Sequence, residues 1–337
     1  MFKVSADGKK LEVFGTGLRA PNGMTVGPDD TVLISDNQGH WMPSSKLNLV
    51  KPGAFMGMTP AAQRELTLRY PDGKEIKVNP SDPEARKQFG LKGWDGAMPI
   101  PSYDEPIAWL PMRWDNSSGG QVYVTSDKWG PWKGAPLFTS YGKCTLFGVM
   151  MDEVDGVTQA SMVPFGLKFQ SGIMRGRFNA KDGQLYLCGL KGWQNAATRD
   201  GGFYRVRKTD KPVRMPIKTH VAQNGIEITF SADLDSKSAE DTANYAIELW
   251  NYRYSGNYGS PEVSVKEPAK QAHDKLEVKS AKLAANKRTL FLEIEGLQPA
   301  DQFSVRYGIN AADGAELRSE IIGTIHKLGA NTKLAVK

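Results

Sequence analysis

The feature that most constrains this chain is an internal repeat. Three segments share one layout: a polar turn, a short apolar strand, and an exit loop carrying glycine and tryptophan. They are Gly27 to Trp41, Ser118 to Gly130 and Ala180 to Trp193. A turn, strand and loop that recur are the mark of a blade-like β architecture. The spacing is irregular, which excludes strict-period arrays. Further strands are expected at Lys10 to Phe14, Thr145 to Met151 and Phe203 to Val206. Helix signals are few: Ala61 to Arg69, and Pro83 to Phe89 with proline and glutamate in a first turn. Both fall in a Pro-, Gly- and charge-rich insertion, about 59–106, read as an elaborated loop.

The pattern changes near Thr209 to Pro212. Beyond it Gly and Trp thin out and alternating strands follow: 225–230, 245–250, 276–283, 289–294, 303–310 and 320–326. Turn signals at Asn224-Gly225, Asn286-Lys287 and Asp313-Gly314 separate several of them. Six or seven short strands of this kind predict a β-sandwich. The expected organisation is all-β: partial propeller blades over 1–211, an independent Ig-like sandwich over 212–327, and a tail over 328–337. Met1 to Ser5 reads as the middle of a strand and lacks the layout of a signal peptide. Upstream blades are therefore expected.

The 337 residues suit about two domains, and 40% hydrophobic content supports a packed core. The net charge of +6 is dispersed, with no block of like charge to form a nucleic-acid arm. No apolar run approaches the ~20 residues of a membrane helix. Cys144 and Cys188 form no haem-attachment sequence and no cysteine-rich zinc site. Whether they are free thiols or a disulfide stays open at this level. Nucleophile-elbow, P-loop, dinucleotide and zincin motifs do not occur.

Gly17-Leu-Arg19-Ala-Pro21-Asn-Gly23, the loop Asp36-Asn-Gln-Gly39-His40 and the run Leu47-Asn-Leu-Val-Lys51-Pro-Gly53 follow one another in order. This combination resembles soluble quinoprotein glucose/sorbosone dehydrogenases. A wider resemblance runs through Asp36-Asn-Gln-Gly-His-Trp-Met-Pro-Ser-Ser45, Trp114-Asp-Asn-Ser-Ser-Gly-Gly-Gln121, Thr125-Ser-Asp-Lys-Trp-Gly-Pro131, Thr139-Ser-Tyr-Gly-Lys143 and Trp250-Asn-Tyr-Arg-Tyr-Ser-Gly-Asn-Tyr-Gly-Ser-Pro261. It is to large secreted planctomycete and verrucomicrobial proteins. Those join a dehydrogenase-like propeller to an Ig-like domain, and often to a c-type cytochrome domain.

The resemblance implies pyrroloquinoline quinone and calcium, a sugar-like or glycan partner, and a periplasmic or extracellular location. A multiply anionic quinone needs cationic partners, and calcium prefers oxygen ligands. On the matching motifs, Arg19 and Lys143 would face the cofactor and Trp109 would wall its pocket. The Gly39 and His40 carbonyls would hold the metal, although the family has proline where His40 stands. The catalytic histidine of the family has no match here. Each assignment has a structural counterpart. Arg19 can pair with a blade-edge carboxylate, and Gly39 can be a turn residue. Trp41, Trp129, Trp132 and Trp193 can pack blades or form a sugar-stacking platform. His220, His273 and His326 read as structural. Two functions follow: part of a quinone-dependent sugar or alcohol dehydrogenase passing electrons to a cytochrome, or a catalytically silent carbohydrate- or protein-binding module.

Overall fold

A computed structural model describes residues 1–39, 42–58, 66–69, 75–78, 103–253 and 258–333. His40, Trp41 and most of the 59–106 insertion, including Pro83 to Phe89, lie outside the described residues. The described chain is all-β apart from single turns of helix.

A hairpin of β1 (Phe2–Val4) and β2 (Leu11–Val13) comes first. Next, β3 (Gly15–Thr16) leads into a sheet of β4 (Gly23–Val26), β5 (Val32–Asp36) and β6 (Ser45–Val50). A short β7 (Ala54–Phe55) pairs in parallel with β3. The strands β8 (Leu66–Arg69) and β9 (Glu75–Val78) then form a hairpin. Residues 66–69 are thus extended, not helical as expected. Leu66 and Leu68 alternate with Thr67 and Arg69, and that period of two pairs with Ile76 and Val78. The first blade closes with β10 (Ala108–Leu110), in the order β4-β5-β6-β10.

A second blade holds β11 (Ser118–Tyr123), β12 (Pro136–Ser140), β13 (Thr145–Val154) and β14 (Val157–Pro164), adjacent in that order. A third, three-stranded sheet holds β15 (Gly172–Phe178), β16 (Leu185–Leu190) and β17 (Gly201–Val206). The first strands of the three sheets approach backbone to backbone, and glycine permits it. A Cβ on Gly23 would lie 2.2 Å from the Gly120 Cα, and one on Gly119 would lie 2.1 Å from the Ile173 oxygen. This is the inner-strand packing of a propeller. Outward, apolar side chains stand exposed on the hairpin (Phe2, Val4, Leu11, Val13) and on the third sheet (Leu190, Phe203).

After residue 211 come β18 (Pro216–Ala222), β19 (Gly225–Phe230), a helical turn α1 (Ser236–Ala239) and β20 (Tyr245–Tyr252). Then follow β21 (Glu262–Val263), β22 (Asp274–Leu276), β23 (Val278–Leu283), β24 (Thr289–Ile294), β25 (Ala300–Asn310) and β26 (Glu316–Ile325). One sheet runs β18-β19-β24-β23, and the other β26-β25-β20-β21 with β22 also on β20. In immunoglobulin lettering these are the ABED and GFC orders. Ile226, Ile228, Leu290 and Leu292 of one sheet and Ile247, Leu249, Phe303 and Val305 of the other are buried in one core. The segment 328–333, expected as a tail, is tied to β18. The Gly329 amide donates to the Val221 carbonyl, and the Gly329 carbonyl accepts from Gln223.

The sandwich is not set apart from the blades. Strand β14 pairs with β26 (Ser161↔Gly323, Met162↔Ile322), so one nine-stranded sheet crosses the expected boundary. Around this seam the Gln159 side-chain oxygen accepts from the His326 and Lys327 amides, and the Trp109 amide donates to the Thr324 hydroxyl. Arg113 forks onto Glu320, which also accepts from the Trp114 indole. His220 shares a hydrogen bond of 2.8 Å with Asp152. Ile322 is buried with Leu33, Leu47, Phe138 and Met162 in a core that belongs to both regions. The seam also removes two strand edges that would otherwise invite association.

Candidate functional site

The residues singled out in the sequence meet only in part. Arg19 lies just before β4 and Gly39 just after β5; these strands are antiparallel, so both stand at one end of the blade. The buried Asp36 carboxylate shapes this end by accepting the amides of Arg19, Ala20 and Asn37 at 2.7–2.9 Å. The Arg19 guanidinium donates to the Gln38 carbonyl at 2.7 Å and lies across Gly39. A Cβ on Gly39 would sit 1.8 Å from Arg19 Nε, so glycine is required for this approach. The turn after β12 carries Lys143, and β12 ends beside the start of β11. That start is held to the first blade by the Ser118 amide on the Asn37 side chain at 2.6 Å. Lys143 therefore shares the end of the blades with Arg19 and Gly39. Its charge acts on the buried Asp115.

Trp109 is placed differently. It lies on β10, the outermost strand, and is buried beside Met42, Trp250 and Tyr252. This is a core position between blade and sandwich, not the wall of an open pocket. Cys144 is a buried free thiol and Cys188 an exposed one.

The sandwich loop at 258–261 closes over the Arg19 end. The Gly259 amide donates to the Gly39 carbonyl at 3.2 Å, and the Ser260 amide donates to the Pro43 carbonyl at 3.0 Å. The same Gly39 carbonyl accepts from Met42, and the Tyr258 ring lies 5.1 Å from the Arg19 guanidinium carbon. The oxygen expected to bind calcium is thus already used twice by the protein. Among the described residues no group of three or more His, Cys, Asp or Glu side chains could hold a metal. A cation at the Gly39 carbonyl would have to displace the Met42 and Gly259 amides, and the second implied carbonyl, that of His40, lies outside the described residues.

Beside the loop lies a cleft of about 570 Å³, lined by Gln38, Ser44, Tyr252, Tyr258, Glu262 and His273. The His273 ring stacks on Trp250 at 4.0 Å and lies between Glu262 (2.7 Å) and Glu248 (3.2 Å). The Glu262 hydrogen bond is the main cause of its raised pKa, with burial opposing and Glu248 adding. Two further buried groups support this end. Lys46 donates to the Met56 carbonyl and lies 5.5 Å from the Trp109 ring centroid. Burial lowers its pKa to about 8, against the pull of Asp36. Asp115 is pushed up by burial, against hydroxyls donated by Ser140 and Ser118 and the Lys143 charge. Lys46 and Asn48 are polar positions of the alternating β6, yet both are buried. Stacking of sheets buries both faces, so alternation carries no signal for them.

A pH test follows from His273. A raised histidine pKa stabilises fully below the unfolded value near ~6.5, and that stabilisation is lost as pH rises through the folded value. His273→Gln is therefore expected to lower the melting temperature most near pH ~5.5 and least near pH ~8. Thermal melts of both proteins across this range check it; a penalty that grows with pH would contradict the assignment.

The fold defines an all-β protein of blade-like sheets fused to a sandwich. No protein-family model matches the chain, and no curated protein matches it. Among solved structures, a Thermus thermophilus protein described as an oxidoreductase (glucose dehydrogenase) aligns at 16% identity and TM-score 0.35. The alignment covers 60% of this chain and 48% of that one, so the chain spans about half of that structure's length. A likeness this slight carries no argument about activity.

Proposed function

We propose that this chain is the blade-and-sandwich part of a secreted protein on a sugar-dehydrogenase-like scaffold, acting as a non-catalytic binding module. In this reading the Arg19–Gly39 end seats the sandwich instead of a quinone and calcium. The observation that carries it is the double use of the Gly39 carbonyl by Met42 and Gly259. The partner is a glycan or sugar-like molecule, and the setting periplasmic or extracellular. The apolar faces left exposed on the first hairpin and third sheet are consistent with further blades.

A second reading, a quinone-dependent dehydrogenase portion coupled to a cytochrome domain, draws support from two cations, Arg19 and Lys143, at one end of the blades. Calorimetry with calcium and with pyrroloquinoline quinone, beside a dye-linked glucose assay, separates the two. The binding-module reading expects neither heat of binding nor turnover. Quinone binding in the wild type that weakens at least tenfold in both Arg19→Gln and Lys143→Gln would overturn it in favour of the enzyme. That factor corresponds to losing about 1.4 kcal/mol at each site.

A further inference from the structure

Away from the Arg19 end, a larger cleft of about 810 Å³ lies between the second blade, the third sheet and the sandwich. Its apolar lining includes Trp129, Trp132, Phe165, Val213, Met215 and Tyr307. The aromatic part is pre-packed: Phe165 lies 6.0 Å from Trp129 and 5.2 Å from Trp132. The indole N–H groups of both tryptophans are buried without an acceptor.

The rim is cationic. Arg207, Lys208, Arg214, Arg288 and Arg318 line it. Three are already answered: Arg214 by Asp313, Arg288 by Asp233 and Arg318 by Glu316. The Lys208 ammonium reaches only the carbonyls of Thr209 and Lys211. Arg207 has no carboxylate partner among the described residues. An apolar, domain-interface cleft of this size with a few convergent charges is the usual form of a small-molecule site.

We propose that this cleft binds a small amphipathic carboxylate. Its aromatic or aliphatic body would lie against Phe165, Val213 and Met215, and its carboxylate would meet Arg207 and Lys208. A sugar fits poorly, because Trp129 and Trp132 are buried to 6% and 2% exposure and offer no open face for stacking.

The test titrates the full chain with 2-naphthoate and with its neutral analogue 2-naphthalenemethanol, read by calorimetry and tryptophan fluorescence. The expected result is saturable naphthoate binding, roughly tenfold or more tighter than the alcohol, in line with a charge-assisted hydrogen bond. Arg207→Gln should remove most of that difference, and Val213→Asp should weaken both probes. Both positions are exposed, so neither change should unfold the chain. Equal affinity for the two probes, no effect of Arg207→Gln, or no saturable binding would each overturn the proposal.

Discussion

Replacing Trp109 by alanine is expected to destabilise the whole chain by about 3–5 kcal/mol, the cost of truncating a buried indole. Trp109 is 2% exposed and its ring centroid lies 5.7 Å from that of Tyr252. The substitution opens a cavity against Met42, Trp250 and Tyr252, and removes the ring beside the buried Lys46 ammonium. Trp109→Phe keeps part of the ring and should cost clearly less. Urea denaturation monitored by circular dichroism measures both. A tryptophan that only walled a cofactor pocket would tolerate alanine within about 1 kcal/mol, and such a result would remove Trp109 from the core account.

Excising the sandwich as residues 212–337 is expected to yield a poorly folded or aggregating product. If it folds, it should melt roughly 10 °C or more below the full chain. The cut strips β14 from β26 and leaves a bare strand edge carrying Ile322 and Ile325. It also leaves half-buried Glu320 without Arg113 and Trp114, and His326 without Glu105 and Gln159. Trp250 and Tyr252 lose Trp109 and Met42. Proteolysis should still nick the exposed segment at 209–211, but the two pieces should co-elute on size exclusion. A monomeric excised sandwich melting at the temperature of the full chain would show that the seam contributes nothing. That outcome would also restore the independent sandwich expected from the sequence.

Most of the strands and their turns were legible in the sequence because their causes are local. Asp155-Gly156 takes positive φ at both residues, which is what a tight turn between β13 and β14 needs. Asp313-Gly314 turns the β25–β26 hairpin for a related reason, with Gly314 at φ 83°, whereas Gly225 is already extended at the start of β19, where a Cβ would lie 2.0 Å from the Leu292 carbonyl oxygen. Strand β18, which the sequence reading did not mark, begins at Pro216 and becomes evident only through its pairing with β19. At the site, the placement of Arg19 and Gly39 at one blade end follows from the short β4–β5 hairpin. It was therefore readable from order alone.

What tertiary structure decided concerns residues that meet across long stretches of chain. Gly39 and Gly259 become partners only because the sandwich folds back on the blade, and that contact uses the carbonyl assigned to calcium. Trp109 turns from a pocket residue into a core residue because β10 lies against β26. Lys46, a polar position in an alternating strand, is buried because the layer carrying Trp109 covers that face of β6. Amino-acid order fixes φ preference, period and turn chemistry, which act between neighbours. Register between β14 and β26, and the burial that follows from it, depends on which distant surfaces pack together. No local pattern encodes that choice.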